Sequence, residues 1–145
     1  MARKHKKTSP PKAKTGTTPS LPRNDPRQQA GAQAAAAAAA QLNRGDVRAA
    51  ANIIEQGLSS VPSHPDLLHL GGQVALVTGD VSRGKELIRQ AIKKAPKVAL
   101  YHYNLGTALF AEDDFDGALE CFRQAVRLEP RFADAFTNLA IVFSQ

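Results

Sequence analysis

Residues 99–130 of the sequence read ALYHYNLGTALFAEDDFDGALECFRQAVRLEP. Two helix-forming runs are separated by the acidic turn at residues 112–114, and Pro130 closes the second run. Pro130 is the last of three prolines that follow one another at intervals of 34 residues, after Pro62 and Pro96. A fixed period of this length indicates supersecondary units that repeat along the chain and bury their apolar faces against one another.

Small residues recur with the same period wherever two packed helices would cross. Only a small side chain lets helix backbones approach closely at such a crossing. Ala and Gly make up about a quarter of the chain, so their presence at all ten of these positions is not a chance result. The ten positions are Ala38, Ala50, Gly57, Gly72, Gly84, Ala91, Gly106, Ala118, Ala125 and Ala140. Large residues recur between them as Ile54, Ile88 and Phe122.

Together these positions resemble the tetratricopeptide repeat family, whose pattern is W-x2-L-G-x2-Y…A-x3-F…P. The best-formed unit supplies His102, Leu105, Gly106, Leu109, Ala118, Phe122 and Pro130. The resemblance implies an all-α fold, an α-α superhelix or solenoid of antiparallel helix hairpins with about 3.5 repeats. Its units would be residues 31–64, 65–98, 99–132 and a partial unit at 133–145. The first unit is nearly all alanine on its first helix, so we expect it to be the least stable.

Break and capping residues predict seven helices within a repeat domain at residues 27–145. Asp25 and Pro26 predict the first start, because Asp is a good N-cap and Pro suits the first helical position. The alanine run that follows favours a helix, although a low-complexity filler stays open as the alternative. The predicted helices are Arg27–Asn43, Val47–Ser60, Pro65–Thr78, Val81–Ala95, Val98–Ala111, Phe115–Glu129 and Ala133–Gln145.

The positive charge belongs to the N-terminal arm, residues 1–26. Residues 1–30 carry a net charge of +7, whereas residues 31–145 carry −1. The arm is rich in Lys, Pro, Ser and Thr, so we expect it to be disordered. It could contact nucleic acid or an anionic membrane, but without interleaved aromatic residues for base stacking a solvated tail is favoured. No apolar run could span a membrane and no signal peptide is present, so a soluble, cytoplasmic protein is expected.

The family resemblance implies a concave face lined by the first helix of each unit, where a peptide or protein would bind. The residues expected on this face are His69, Gln73, Tyr103, Asn104, Thr107, Phe110 and Asn138. Asn104 and Asn138 stand one repeat apart, and amides can pair with a peptide backbone. They resemble the asparagine ladder of O-linked N-acetylglucosamine transferases, although Asn is also a common consensus residue there. No Lys or Arg lines this face, which argues against a clamp for a terminal carboxylate.

Nothing in the sequence predicts catalysis, a cofactor or a metal site. His64, His69 and His102 lack a second ligand at metal-site spacing. Cys121 has no nucleophile signature around it and is expected to be a small packing residue. The acidic residues at 112–116 are expected to cap a helix. The protein is therefore predicted not to be an enzyme.

Two functions stay open at the level of the sequence. The first is a scaffold or adaptor that binds a protein or peptide along the concave face. The alternative is the N-terminal repeat region of a larger transferase of the glycosyl- or sulfotransferase type. The last helix carries apolar residues on its outer side and is expected to pack against a further helix or a second copy. These residues are Phe136, Leu139, Ile141, Val142 and Phe143.

Overall fold

The computed structural model describes residue 22 and residues 24–145, and this part consists of seven α-helices without a strand. The helices are α1 Pro26–Asn43, α2 Val47–Ser60, α3 Pro65–Val77, α4 Val81–Lys94, α5 Ala99–Ala111, α6 Phe115–Leu128 and α7 Ala133–Phe143. The predicted all-α solenoid is confirmed, and each helix ends within two residues of the predicted position. Most of the predicted N-terminal arm lies outside the described residues.

Aspartate N-caps repeat along the chain and set where the helices begin. Asp25 accepts a hydrogen bond from the Arg27 backbone N–H at 2.8 Å and starts α1. Asp46, Asp80 and Asp114 stand one repeat apart and cap α2, α4 and α6 in the same way. The acidic turn before α6 therefore contains a cap, as the sequence predicted. The caps satisfy N–H groups that have no partner within the helix.

The turn before each of these caps holds a residue with positive φ. Gly45 and Gly79 adopt φ values of 80° and 91°. The third unit has Asp113 at the same position, with φ 61°. Asp is one of the few residues other than glycine that tolerate this left-handed conformation. The three turns therefore share one geometry despite the change of residue.

The helices pack as antiparallel hairpins that curve in one direction. α1 pairs with α2, α3 with α4, and α5 with α6, while the second helix of each hairpin packs against the first helix of the next. The first helices also contact one another in the order α1, α3, α5 and α7. The backbones of α2, α4 and α6 do not approach one another closely. The first helices therefore line the inner, concave side, and the second helices form the outer surface.

The core is strong in the middle and thin at both ends. Ile88 and Phe122 are fully buried between helices of successive units. Gly106 lies so close to Phe122 that an added Cβ would come within 2.8 Å of its ring. By contrast, the only buried residues of α1 are Gly31, Ala35 and Ala38. At the other end Ala140 is exposed, although its counterparts in α3 and α5 are buried.

Candidate peptide-binding groove

The concave face forms a groove between α1, α3 and α5. One wall is built from small α1 side chains, chiefly Ala32, Ala36 and Ala39. The floor and the opposite wall come from α3 and α5, which contribute His69, Gln73, Leu100 and Tyr101 among others. The groove is therefore mainly apolar, with a few polar groups on α3.

His69 lies in the floor of the groove and is only 4% exposed. Its ring stacks on Tyr101 at a centroid distance of 4.6 Å. Its Nε2 atom is 2.7 Å from Nδ2 of Asn104 on the neighbouring helix. Burial lowers the pKa of His69 to about 4, so the ring is neutral at pH 7. A neutral ring that accepts the Asn104 N–H through Nε2 carries its proton on Nδ1.

The same contact recurs one repeat later. Asn138 donates a hydrogen bond from Nδ2 to the hydroxyl of Tyr103 at 3.3 Å. Each asparagine thus bonds to an aromatic ring 35 residues earlier, on the preceding first helix. Both amides are held in fixed orientations by the protein itself. A ligand in the groove would meet them already ordered, which lowers the entropy cost of binding.

A third bond with the same 35-residue offset joins Tyr101 to Asp66. The Tyr101 hydroxyl donates to the Asp66 carboxylate. Burial raises the pKa of Tyr101, and the Asp66 carboxylate adds to that rise. The sequence analysis did not single out this pair. Asp66 is the second residue of its unit and Tyr101 is the third residue of the next unit, so the two are 35 residues apart, as are the two asparagine pairs.

The remaining predicted site residues lie along the same face. Tyr103 is half-buried, and its ring lies 4.8 Å from that of Phe132. Phe110 is also half-buried and packs against Phe115 at the tip of the hairpin, with ring centroids 5.5 Å apart. Thr107 is exposed, and its hydroxyl donates to the Tyr103 carbonyl oxygen at 3.1 Å. The structure thus brings His69 and Asn104 together, and Tyr103 and Asn138. Gln73 lines the groove together with His69, while Phe110 lies at the tip of the hairpin against Phe115.

A second depression lies on the outer surface between α2, α3 and α4. Ile54, Val74 and Leu87 line it, and charged side chains stand at its rim. Gly71 leaves this space open because it has no side chain, whereas the next unit has the large residue Leu105 at the same position. Sequence reasoning missed it, although the loss of a large residue at a repeat position was the signal.

His64 and Cys121, which were considered as candidate site residues in the sequence, pack against neighbouring helices and have a structural role. The His64 ring packs against Gly31 of α1, and its Nδ1 atom is buried without a hydrogen-bond partner. Burial raises the pKa of the Cys121 thiol to about 11, so it is protonated and unreactive at pH 7. Among the described residues, no three His, Cys, Asp or Glu side chains are grouped to hold a metal ion. None of the described helices is long and apolar enough to cross a membrane.

Comparison with known proteins supports the geometry. Residues 99–132 match the family model described as tetratricopeptide repeat. An O-GlcNAc transferase of Thermobaculum terrenum superposes with a TM-score of 0.75 and 25% identity, over 81% of this chain and 23% of its own. The first tetratricopeptide domain of Spaghetti (RPAP3), bound to an HSP90 peptide, superposes with a TM-score of 0.74 and 15% identity, over 81% of this chain and 95% of its own.

A further similar structure is MamA of Desulfovibrio magneticus, with a TM-score of 0.67 and 21% identity over 77% of this chain and 63% of its own. At identities this low, the MamA and Spaghetti structures establish only the fold. The chain spans about a quarter of the O-GlcNAc transferase that it matches and less than two thirds of MamA. The sequence matches no curated protein.

Proposed function

Because the chain carries a tetratricopeptide repeat at residues 99–132 within a superhelix of the same type, we propose that it is a scaffold that binds a protein or peptide in its concave groove. The fold is that of a protein-interaction repeat domain. Similar domains bind peptides, as the one from Spaghetti does with an HSP90 peptide. The repeat fold is typical of non-catalytic scaffolds, and we propose that the described residues bind without carrying out chemistry.

Two asparagines on the concave side give the strongest support to this proposal. Asn104 and Asn138 are each held by a ring of the preceding unit, at 2.7 Å and 3.3 Å. Such support fixes polar groups beside an apolar wall, which is the usual make-up of a specific binding site. We propose that His69, in the floor of the groove, holds the Asn104 amide in place by a hydrogen bond, while Gln73 and Thr107 contact the ligand.

Filling the groove with large side chains tests this proposal. The variant Gln73→Arg with Thr107→Arg obstructs the groove at two positions outside the core. A matched control places the same residues on the outer surface, as Gln56→Arg with Ser82→Arg, since both positions are exposed. A peptide selected from a random display library against the unchanged protein serves as the ligand.

We expect the groove variant to weaken peptide binding by at least about ten-fold, which is about 1.4 kcal/mol, in fluorescence anisotropy. The outer-surface control should bind as the unchanged protein does. Equal binding by the groove variant and the unchanged protein would show that the concave face is not the binding site.

A second candidate is the N-terminal repeat region of a larger transferase. The similarity to an O-GlcNAc transferase, of which this chain covers 23%, favours it. An open reading frame that continues past Gln145 into a catalytic domain would support this candidate. A stop codon directly after Gln145 would exclude it.

We also propose that α7 pairs with a second copy of the chain through its outer face. Phe136, Ile141 and Phe143 are exposed there. The α7 residue Ala140 occupies a helix-crossing position and is exposed, so these side chains form an apolar strip that a partner can cover. The cytoplasmic location predicted from the sequence stays a prediction.

A further inference from the structure

The outer surface carries a regular double row of positive charges, which we name the cationic ladder. Three cations on the second unit recur 34 residues later on the third unit, and all six side chains are exposed. The six members are Arg89, Lys93, Lys97, Arg123, Arg127 and Arg131. At the equivalent positions of the first unit stand Glu55, Ser59 and Ser63. The ladder therefore begins at the second unit.

Within each row the cations follow one another at intervals of four residues. Side chains four residues apart lie on the same side of a helix, and the helix rises about 6 Å between them. Arg89 and Lys93 lie on α4, while Lys97 lies in the turn that follows it. The second row repeats this arrangement on α6 and its following turn. Each row is thus a line of three cations, two on a helix and one in the turn after it, that runs towards one edge of the solenoid.

Two carboxylates near the ladder accept hydrogen bonds from glutamines on their own helices. Glu86 accepts a hydrogen bond from Gln90 at 3.1 Å, and Glu120 accepts one from Gln124 at 3.0 Å. No ladder cation forms an ion pair within the described residues, whereas Lys85 on the same helix pairs with Glu112. None of the six charges is therefore neutralised by an ion pair, and their combined field is available to an anion.

The two rows lie side by side. The positive charge of Arg89, on α4, acts on the pKa of the Cys121 thiol on α6 and opposes the rise that burial causes. Arg123 of the second row lies 5.6 Å from the centre of the Phe143 ring, at the start of the exposed C-terminal edge. The ladder therefore continues across the surface from one unit to the next.

The ladder lies towards one edge of the molecule. Successive helices alternate in direction, so the starts of α1, α3, α5 and α7 share an edge with the ends of α4 and α6. The ladder runs to this edge. The opposite edge carries both the acidic turn at residues 112–114 and the exposed cations Arg44, Arg48 and Arg83.

We propose that the cationic ladder binds the phosphate backbone of a nucleic acid, without preference for base sequence. A linear array of exposed Lys and Arg suits a linear polyanion, whose affinity comes from release of condensed counterions. Among the described residues, one aromatic ring, that of Phe143, lies against a ladder cation, so most of the contacts are to phosphate rather than to stacked bases. An amphipathic membrane anchor would need apolar side chains between the charges, and the ladder positions are all Lys or Arg. The surface lies outside the concave groove, so both sites can be occupied together.

Matched charge variants of the full chain test this site. The ladder variant carries Lys93→Gln, Lys97→Gln and Arg131→Gln. The opposite-edge control carries Arg44→Gln, Arg48→Gln and Arg83→Gln, which removes the same charge from exposed positions. The arm variant carries Lys4→Gln, Lys6→Gln and Lys7→Gln. The probe is a fluorescein-labelled oligouridylate about 20 nucleotides long, and a DNA duplex of equal length shows whether strand number matters.

We expect the unchanged protein to bind the probe with strong salt dependence. The ladder variant should bind at least about ten-fold more weakly at about 100 mM salt, because it loses three phosphate contacts. Its slope of log K against log salt should be smaller by about 2 in magnitude. The opposite-edge control should change the affinity by less than about two-fold if position and not only net charge matters.

Several outcomes would overturn the proposal. An equal loss of probe affinity in the ladder variant and the opposite-edge control would mean that only the net charge of the protein matters. If the arm variant loses affinity for the probe and the ladder variant does not, the arm alone binds the probe. Tighter binding to a polyglutamate chain, or to vesicles containing phosphatidylserine, would assign the ladder to an acidic protein or to a membrane instead. Unchanged circular dichroism spectra of all three variants would show that folding is not the cause.

Discussion

At the scale of single residues, two adjacent glycines of α3 have opposite surroundings. A Cβ added to Gly71 would lie 3.4 Å from Cγ2 of Ile54 and 3.6 Å from Cδ1 of Leu87, which are ordinary contacts. A Cβ added to Gly72 would come within 2.6 Å of Ile88 and 2.8 Å of the Gly84 carbonyl oxygen. The second contact involves backbone, which cannot move aside cheaply. The repeat pattern could predict a small residue at Gly72, and glycine in place of the large Leu105 was the sequence signal that Gly71 borders an open depression.

We therefore predict opposite effects of the same substitution at these neighbours. Gly71→Ala should raise the free energy of unfolding by about 0.5–1 kcal/mol, because alanine reduces the freedom of the unfolded chain and favours helix. Gly72→Ala should lower it by about 1–3 kcal/mol, because the added methyl overpacks the crossing with α4. Urea denaturation followed by circular dichroism measures both. A shift in the same direction for the two variants would contradict this account.

His69 links the groove to the pH dependence of stability. Burial lowers the pKa of its ring to about 4 in the folded protein, from 6.5 in the unfolded chain. The unfolded chain therefore binds the proton more readily between these two values. The stabilising contribution is complete above about pH 6.5 and is lost as the pH falls towards 4. Burial shifts the pKa of His64 in the same direction.

We predict that the unfolding free energy falls by about 2 kcal/mol through His69 alone between about pH 7.5 and about pH 5. In the His69→Gln variant this part of the pH dependence should disappear, while the part due to His64 remains. Urea titrations of both proteins at the two pH values provide the comparison. An identical pH dependence in the variant would mean that His69 is protonated in the folded state.

At the scale of helices, the two ends of the solenoid differ in what the sequence could predict. The alanine run forms α1, as helix propensity predicted, but propensity does not say which face is buried. The contact of His64 with Gly31 determines how α1 sits on the next hairpin. At the other end, the apolar surface of α7 was predictable, because Leu68, the counterpart of Phe136, is a core position. Leu68 is 5% exposed, whereas Phe136 is 47% exposed.

We predict that the chain self-associates through α7 and that Ile141→Ser with Phe143→Ser weakens this association. These side chains are 42% and 63% exposed, so the substitutions remove apolar contact area with little effect on the core. A control, Val77→Ser with Leu100→Ser, alters exposed apolar residues on the concave side. Sedimentation velocity over a concentration series measures the assembly state. A monomer at every concentration of the unchanged protein would refute the prediction.

At the scale of the whole molecule, the period of 34 residues was enough to predict seven helices and their hairpin packing. The groove residues predicted from the family pattern stay a prediction, but their neighbours show why sequence alone is insufficient. The pairing of Asn104 with His69 depends on how far one unit is rotated against the next. So does the pairing of Asn138 with Tyr103. The rotation between successive units cannot be predicted from the sequence of a single unit.

The unequal contacts on the two sides of the solenoid give it a mechanical character. The first helices touch one another along the inner side, while the backbones of α2, α4 and α6 stay apart. Helices contact each other more extensively within a hairpin than between successive hairpins. The polar pairs at Asn104 and Asn138 each add one hydrogen bond to the contact between successive first helices. A pull on the two ends would therefore separate successive units before it broke the packing of any hairpin.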